Sequence, residues 1–158
     1  MAIGNLGSLY VDLNDLDPAE RYVMESLSMS RELRVPSLIL EGTKNLALIH
    51  LRRGHDRQAH ALLKDIVRSS RELGIGVNLY PLFHGVIRLR AGDRANGLAW
   101  IGHAQSHSHH AFEVKMCMGY FSDLIRGNDS EEEVERALRA GDGLKVEEIL
   151  EEAERKAP

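Results

Sequence analysis

Three histidines in the segment 103–110 are the side chains of this sequence best spaced to bind a metal. His103, His107 and His110 stand at i, i+4 and i+7, so a continuous helix would place all three on one face. Imidazoles at i and i+4 can chelate zinc, nickel or copper. No carboxylate or thiolate stands beside them, and the sequence has no H-E-x-x-H pattern. We therefore expect a polar helix end here, and neither a metal nor another cofactor.

The other reactive side chains indicate a protein that is not an enzyme. Cys117 is the single cysteine and lies between two methionines, so we expect a buried, inert thiol. The sequence contains neither a phosphate-binding G-x-x-x-x-G-K-[ST] loop nor a G-x-S-x-G nucleophile motif. The glutamates within 131–133 and 147–152 are typical of solvated helix faces and first-turn acids.

Composition and charge narrow the class of protein further. The 158 residues are 43% hydrophobic and 28% charged, which is typical of a folded chain, and alanine, leucine, glutamate and arginine favour helices. A net charge of -4 makes nucleic acid an unfavourable partner. A single cysteine indicates a reducing compartment. With neither a signal-peptide pattern nor an apolar run of about 18 residues, we expect a cytoplasmic protein that does not enter membranes.

The elements that carry these residues recur along the chain. Segments that begin at Asn5, Asn45 and Phe83 align at spacings of 40 and 38 residues, and the first two both end in S-R-E-L. Small residues recur at matched positions in two sets, which are Gly7, Ala47, Gly85 and Ala19, Ala59, Gly97. Large apolar residues follow the second set at Val23, Leu63 and Ile101. This pattern predicts repeated helical hairpins whose two helices approach closely.

Helix boundaries are marked by turn-forming and capping residues. The first helix of each hairpin is predicted to end at Asn14, Gly54 and Gly92, which tolerate a left-handed conformation. Asp17-Pro18-Ala19-Glu20 predicts a helix start with Asp17 as the N-cap, and Pro81 is predicted in the first turn of a helix.

The end of the sequence departs from the repeat. Residues 111–127 are predicted to form one helix with an apolar stripe of Phe112, Met116, Tyr120 and Leu124. Ser130 to Glu133 predicts a capping box that opens a short helix, and residues 144–157 predict a final amphipathic helix.

The repeat resembles the tetratricopeptide repeat. The matching residues are Leu6-Gly7 with Tyr10 and Ala19, Leu46-Ala47 with Gly54 and Ala59, and Gly85 with Gly92 and Gly97. The units are longer than the usual length of about 34 residues, and they are similar to the C-terminal repeat regions of large bacterial signal-transduction ATPases and transcription activators. The resemblance implies an all-α, right-handed α-solenoid over residues 1–126. Its units lie at about 1–36, 37–76 and 77–110, with a partial unit at 111–126 and capping helices at 127–158.

In that family the first helix of each hairpin lines a concave surface that binds partners. Carried over by repeat register, this surface comprises Asn5, Ser8, Asp12, Lys44, Asn45, Leu48, Arg52, Tyr80, Phe83, Val86 and Arg90. Asparagine carboxamides can hold a peptide backbone, and Tyr80 and Phe83 can serve as apolar anchors. Arg52 and Arg90 share a repeat position, so they either solubilise the helix ends or form a positive stripe for an acidic peptide or nucleic acid.

These observations predict a protein-interaction scaffold within a larger bacterial regulator, which binds a peptide or a partner helix on its concave face. The alternative is a module that senses a small ligand or signal peptide. An open first hairpin would leave Ile3 and Leu6 partly uncovered, so we also expect a homodimer through this end.

Overall fold

The structure, a computed structural model, describes residues 2–74, 79–108 and 111–155. Every regular element of these residues is a helix, which confirms the predicted all-α class. Among the described residues, no helix combines the length and the apolar character that crossing a bilayer requires. The helices are α1 (Ala2–Asp12), α2 (Leu16–Glu32), α3 (Pro36–Arg52), α4 (Asp56–Leu73), α5 (Tyr80–Arg90), α6 (Arg94–His107), α7 (Ala111–Tyr120), α8 (Ser122–Arg126), α9 (Glu131–Arg139) and α10 (Val146–Arg155), with a 3-10 turn at Ala140–Gly143.

The chain divides into two compact units, Met1–Gly76 and Val77–Pro158. In the first unit α1 packs on α2 and α3 packs on α4, and the two hairpins stack through α2 and α3. The predicted close approach within the first hairpin is confirmed, because a Cβ atom added at Gly7 would lie 2.7 Å from Cγ2 of Val23. The second hairpin repeats the arrangement with Ala47, Ala59 and Leu63, all fully buried.

A residue with a left-handed backbone conformation follows the end of the first helix in each hairpin, as predicted. Asn14, Gly54 and Gly92 have φ values of 60°, 75° and 85°. Asparagine and glycine adopt this conformation at low cost, so each chain turn reverses direction within a few residues and brings the second helix back along the first.

The second unit is built on the hairpin of α5 and α6. Pro81 lies in the first turn of α5, as predicted. The 3-10 turn and α9 pack on α6, while α8 and α10 contact α5. A glycine allows α9 to pack closely on α6. A Cβ atom at Gly102 of α6 would lie 1.9 Å from the carbonyl oxygen of Leu138 in α9. The predicted capping box is confirmed, with Ser130 and Glu133 exchanging hydrogen bonds at the start of α9.

Two local predictions are wrong. Residues 111–127 form two helices, because the backbone leaves helical geometry at Phe121. The buried side chains are those of Val114, Cys117, Phe121 and Ile125, not the predicted stripe, and Phe112 is 82% exposed. The apolar face therefore follows the spacing of three and four residues that starts at Val114.

The predicted N-cap of α2 is also wrong. The helix begins at Leu16, one residue before Asp17. The carboxylates of Asp17 and Glu20 instead bind the guanidinium of Arg53 at the end of α3. Asp17 and Glu20 therefore link the first hairpin to the second through Arg53, and Asp17 does not cap α2.

Candidate partner-binding groove

A groove of about 420 Å³ opens between α1, α2 and α3 in the first unit. Buried Val23 lies at its floor. The residues that line it are Ile3, Gly4, Asn5 and Ser8 of α1, Val23, Ser26, Met29 and Ser30 of α2, Leu33, and Leu38, Glu41, Gly42 and Asn45 of α3. The groove thus combines the first helices of two hairpins with the second helix between them.

Two glycines set the width of this groove. A Cβ atom at Gly4 would lie 3.0 Å from Oγ of Ser26, and one at Gly42 would lie 2.7 Å from Cγ of Leu27. Both values are below ordinary van der Waals contact, so a side chain at either position would press against a side chain of α2.

One wall of the groove is polar and uncharged. Asn45 donates a hydrogen bond from Nδ2 to Oγ of Ser8 at 3.2 Å, and this Oγ donates to the carbonyl oxygen of Gly4 at 3.3 Å. The contact joins the first helices of the two hairpins. Exposed Asn5 lies on the same side. The structure therefore brings together three of the predicted surface residues, Asn5, Ser8 and Asn45.

The other wall is apolar and was missed by sequence reasoning. Met29 and Leu38 are partly exposed, and Leu33 is 69% exposed. These residues flank the turn between the hairpins, where Arg34 adopts a left-handed conformation with φ of 54°. This wall could have been predicted from the sequence, because large apolar residues stand on both sides of the turn between the hairpins.

Four of the predicted surface residues are buried. Leu48, Tyr80, Phe83 and Val86 expose at most 5% of their surface. The prediction that Tyr80 and Phe83 are exposed anchors is therefore wrong. The ring of Tyr80 lies 5.7 Å from that of His84, so it packs inside the protein rather than facing a partner.

The predicted cationic residues contact the protein itself. Arg52 donates to the carbonyl oxygen of Val11 and, at 2.6 Å, to Oδ1 of Asn14. The guanidinium of Arg90 lies 5.8 Å from the ring centroid of Phe121. Because Arg52 links the second hairpin to the first, the structure favours a packing role for it over a positive stripe.

The two remaining predicted residues lie outside the groove lining. Asp12 is exposed at the end of α1. Lys44 forms an ion pair of 2.7 Å with Glu41, one turn earlier on α3. That pair compensates the charge of the one carboxylate in the groove, so the groove presents little net charge to a ligand.

The histidines stand where a helix ends, as predicted. Helix α6 ends at His107, whose ring stacks on that of His103 with centroids 4.4 Å apart. Nδ1 of His103 lies 3.3 Å from the carbonyl oxygen of Gly141, and Nδ1 of His107 lies 3.2 Å from that of His103. Burial lowers the pKa of His103. Within the described part of the chain no three His, Cys, Asp or Glu side chains cluster to hold a metal, and His110 lies outside that part.

Residues 1–36 match the family model of the tetratricopeptide repeat. No curated protein and no solved structure matches the sequence. The matched range contains α1 and α2, two of the three helices that form the groove. The resemblance to the repeat is thus supported at the first hairpin. The likeness to bacterial ATPases and transcription activators stays a prediction.

Proposed function

We propose that this chain is a protein-interaction scaffold that binds a peptide or a partner helix in the groove between α1, α2 and α3. The observation that supports this most is the pairing of an exposed apolar wall with an uncharged polar wall. Tetratricopeptide repeats are scaffolds without catalytic activity, and the matched first hairpin supplies most of the groove.

The two walls would hold different parts of a partner. Apolar partner side chains would cover Met29, Leu33 and Leu38, and burying one large aliphatic side chain contributes about 1.5–3 kcal/mol. The carboxamides of Asn5 and Asn45 would bind the partner backbone or a polar side chain, since each donates and accepts hydrogen bonds. The near-neutral groove favours an amphipathic segment over a highly charged one.

A displayed random-peptide library tests this proposal. Peptides selected on the chain are expected to bind Leu38→Glu at least tenfold more weakly, because the carboxylate places charge on the apolar wall. Leu73→Glu is the matched control: Leu38 is 37% exposed and Leu73 is 38% exposed, but Leu73 lies at the end of α4, outside the groove lining. Fluorescence anisotropy with labelled peptides gives both affinities.

Equal losses in the two variants would contradict the proposal, as would selected peptides that bind both variants with unchanged affinity. Circular dichroism of each variant checks that the helices remain folded.

A sensing role is the second candidate, because the groove volume of about 420 Å³ falls within the range of about 300–1,000 Å³ typical of small-molecule pockets. A sensor would show a strong rise in melting temperature with one compound from a small-molecule screen. That rise should disappear in Leu38→Glu and persist in Leu73→Glu.

The wider setting of the scaffold is also a proposal. The resemblance to the repeat regions of bacterial signalling ATPases and activators is a prediction from the sequence, and from it we infer a place in a cytoplasmic regulator, with protein rather than nucleic acid or membrane as partner. The reading frame around this segment tests it: an adjoining ATPase or DNA-binding module is expected, and an unrelated neighbour would contradict it.

A further inference from the structure

A polar cleft of about 340 Å³ opens in the second unit, where the last turns of α6 face α9 and the 3-10 turn. Its volume lies near the lower end of the range of about 300–1,000 Å³ typical of small-molecule pockets. The residues that line it are Gly102, Gln105 and Ser106 of α6, Glu135, Leu138 and Arg139 of α9, and Asp142 of the 3-10 turn. Because the groove of the first unit is lined by other residues, the cleft is a separate site.

Backbone contacts hold the walls of this cleft together. The contact between Gly102 of α6 and the carbonyl oxygen of Leu138 joins α6 to α9. A Cβ atom at Gly141 of the 3-10 turn would lie 2.0 Å from the carbonyl oxygen of Ala99 in α6. Elements packed this closely have little freedom to separate, so the polar groups of the cleft are positioned before a ligand arrives.

Two opposite charges in the cleft keep hydrogen-bonding atoms that the described part of the chain does not use. Nη1 of Arg139 lies 3.4 Å from Oε2 of Glu135, and its Nε and Nη2 bind no described residue. Ser106 donates at 2.5 Å to Oδ1 of Asp142, and Oδ2 accepts from no described residue. Although they are only three residues apart, Arg139 and Asp142 form no ion pair with each other among the described contacts. The cleft thus presents a cation and an anion that can each bind a ligand.

We propose that this cleft binds a zwitterionic α-amino acid. Nε and Nη2 of Arg139 can hold the ligand carboxylate as a pair of parallel donors, the geometry in which a guanidinium binds carboxylates best. Asp142 accepts from the ligand ammonium group. The side chain of the ligand lies against Gln105 and Leu138.

The charges of the cleft favour this ligand over one with a single charge. Two carboxylates, those of Glu135 and Asp142, face one guanidinium, so an anion without an ammonium group meets net negative charge. A cation without a carboxylate makes no use of the two available donors of Arg139. The side chains of Arg139 and Glu135 are 65% and 57% exposed. Their own ion pair therefore contributes little, so a ligand carboxylate can replace it, and binding should weaken as the salt concentration rises.

An NMR titration of the isotopically labelled full chain with each protein-forming L-amino acid tests this site. At least one amino acid should bind and move the amide signals of Ser106 and Asp142. Its N-acetyl and its carboxamide derivatives each lack one charge, so each should bind at least about tenfold more weakly through the loss of one charge-assisted contact. The proposal would be overturned if no amino acid bound, or if either derivative bound as well as the zwitterion.

A matched pair of arginine variants locates the binding. Arg139→Gln should weaken it at least about tenfold, and Arg136→Gln should leave it unchanged. Arg136 is the control because it lies on the same helix, pairs with Glu132 at the same distance of 3.4 Å and is 69% exposed, but does not line the cleft. Equal losses in the two variants, with the helices intact by circular dichroism, would refute the assignment of the carboxylate to Arg139.

The acidic side of the cleft has its own test. Asp142→Asn should weaken amino-acid binding by a similar factor, because it removes the charge but keeps an oxygen that can accept from Ser106. Unchanged binding in this variant would contradict the role of Asp142. The groove variant Leu38→Glu should bind the amino acid normally, so the failure of the scaffold proposal would leave this result unaffected.

Discussion

Gly85 and Gly97 pack backbone against backbone where α5 crosses α6. A Cβ atom at Gly85 would lie 2.7 Å from the carbonyl oxygen of Gly97, and one at Gly97 would lie 2.9 Å from that of Gly85. The contact is reciprocal, so the hairpin closes only if both positions lack a side chain.

Alanine at Gly97 is therefore expected to destabilise the second unit by about 1–3 kcal/mol, because the methyl group forces the helices apart. Gly119 of α7 offers a matched control, since a Cβ there would meet no atom within 4 Å. Gly119→Ala should stabilise by up to about 1 kcal/mol through helix propensity. Urea unfolding gives both values, and a neutral Gly97→Ala would contradict the close packing.

Arg53 forms ion pairs with two acidic residues, and we expect neutralising substitutions of these two partners to lower the free energy of unfolding by unequal amounts. Glu20 is 27% exposed and Asp17 is 95% exposed, so solvent screens the second pair far more. The hydrogen bond that Arg53 donates to the carboxylate of Glu20 is the main cause that raises the pKa of Arg53. Glu20→Gln should cost about 1–3 kcal/mol and Asp17→Asn about 0–1 kcal/mol. Chemical denaturation measures both, and a larger loss for Asp17→Asn would refute this ranking.

Arg94 is expected to hold α8 to the start of α6. Its guanidinium donates to Asp129 at 2.5 Å and to the carbonyl oxygens of Ile125 and Arg126 at 2.8 Å each. Arg94→Lys should lose about 1–3 kcal/mol, because an ammonium cannot reproduce this planar set of donors.

The control for Arg94 is Arg68→Lys, at a site whose side chain is 71% exposed. That change should alter the free energy of unfolding by less than about 0.5 kcal/mol. Amide hydrogen exchange of α8 should accelerate only in Arg94→Lys, and unchanged protection there would contradict the link.

Stability should fall as the solution becomes acidic. Burial is the main cause that lowers the pKa of His103 below its usual 6.5, with His107 adding to it, while the backbone of Gly141 and the charge of Glu147 oppose it. Burial also lowers the pKa values of His50 and His60. The unfolded chain then binds more protons, so the stabilisation present above about pH 6.5 is lost progressively as the pH falls toward the lower folded-state values.

The replacement His103→Gln should make this pH dependence shallower without removing it, since the other two histidines remain. Urea unfolding between neutral and mildly acidic pH measures the slope. A slope equal to that of the unchanged chain would show that His103 does not contribute.

The sequence was most informative about the hairpins. Small residues at Gly7, Ala47 and Gly85 mark where helices touch, and a Cβ atom at Gly7 or Gly85 would lie 2.7 Å from an atom of the facing helix. The left-handed positions Asn14, Gly54 and Gly92 were equally clear, because few residues tolerate that conformation. Such features depend on the local backbone conformation, so they can be recognised in the sequence before the fold is known.

Side-chain exposure was less predictable, because it depends on neighbours distant in the sequence. The register placed Phe83 on a partner surface, yet α6, α8 and α10 all contact its helix. Arg52 looked like a surface cation, but its partners Val11 and Asn14 lie about forty residues earlier. The apolar wall flanks the turn between the hairpins, with Leu33 at the end of α2 and Leu38 in the first turn of α3, so it spans two helices and no single helical periodicity reveals it.

The most direct test of partner binding in the groove is chemical-shift mapping by NMR of the isotopically labelled chain with a selected peptide. We predict that the amide signals that move most belong to Ser8, Leu33, Leu38 and Asn45, and that those of α7 stay in place. Shifts concentrated on α7, or on the exposed leucines of α1 with the groove signals unchanged, would contradict the assignment of the groove as the binding site.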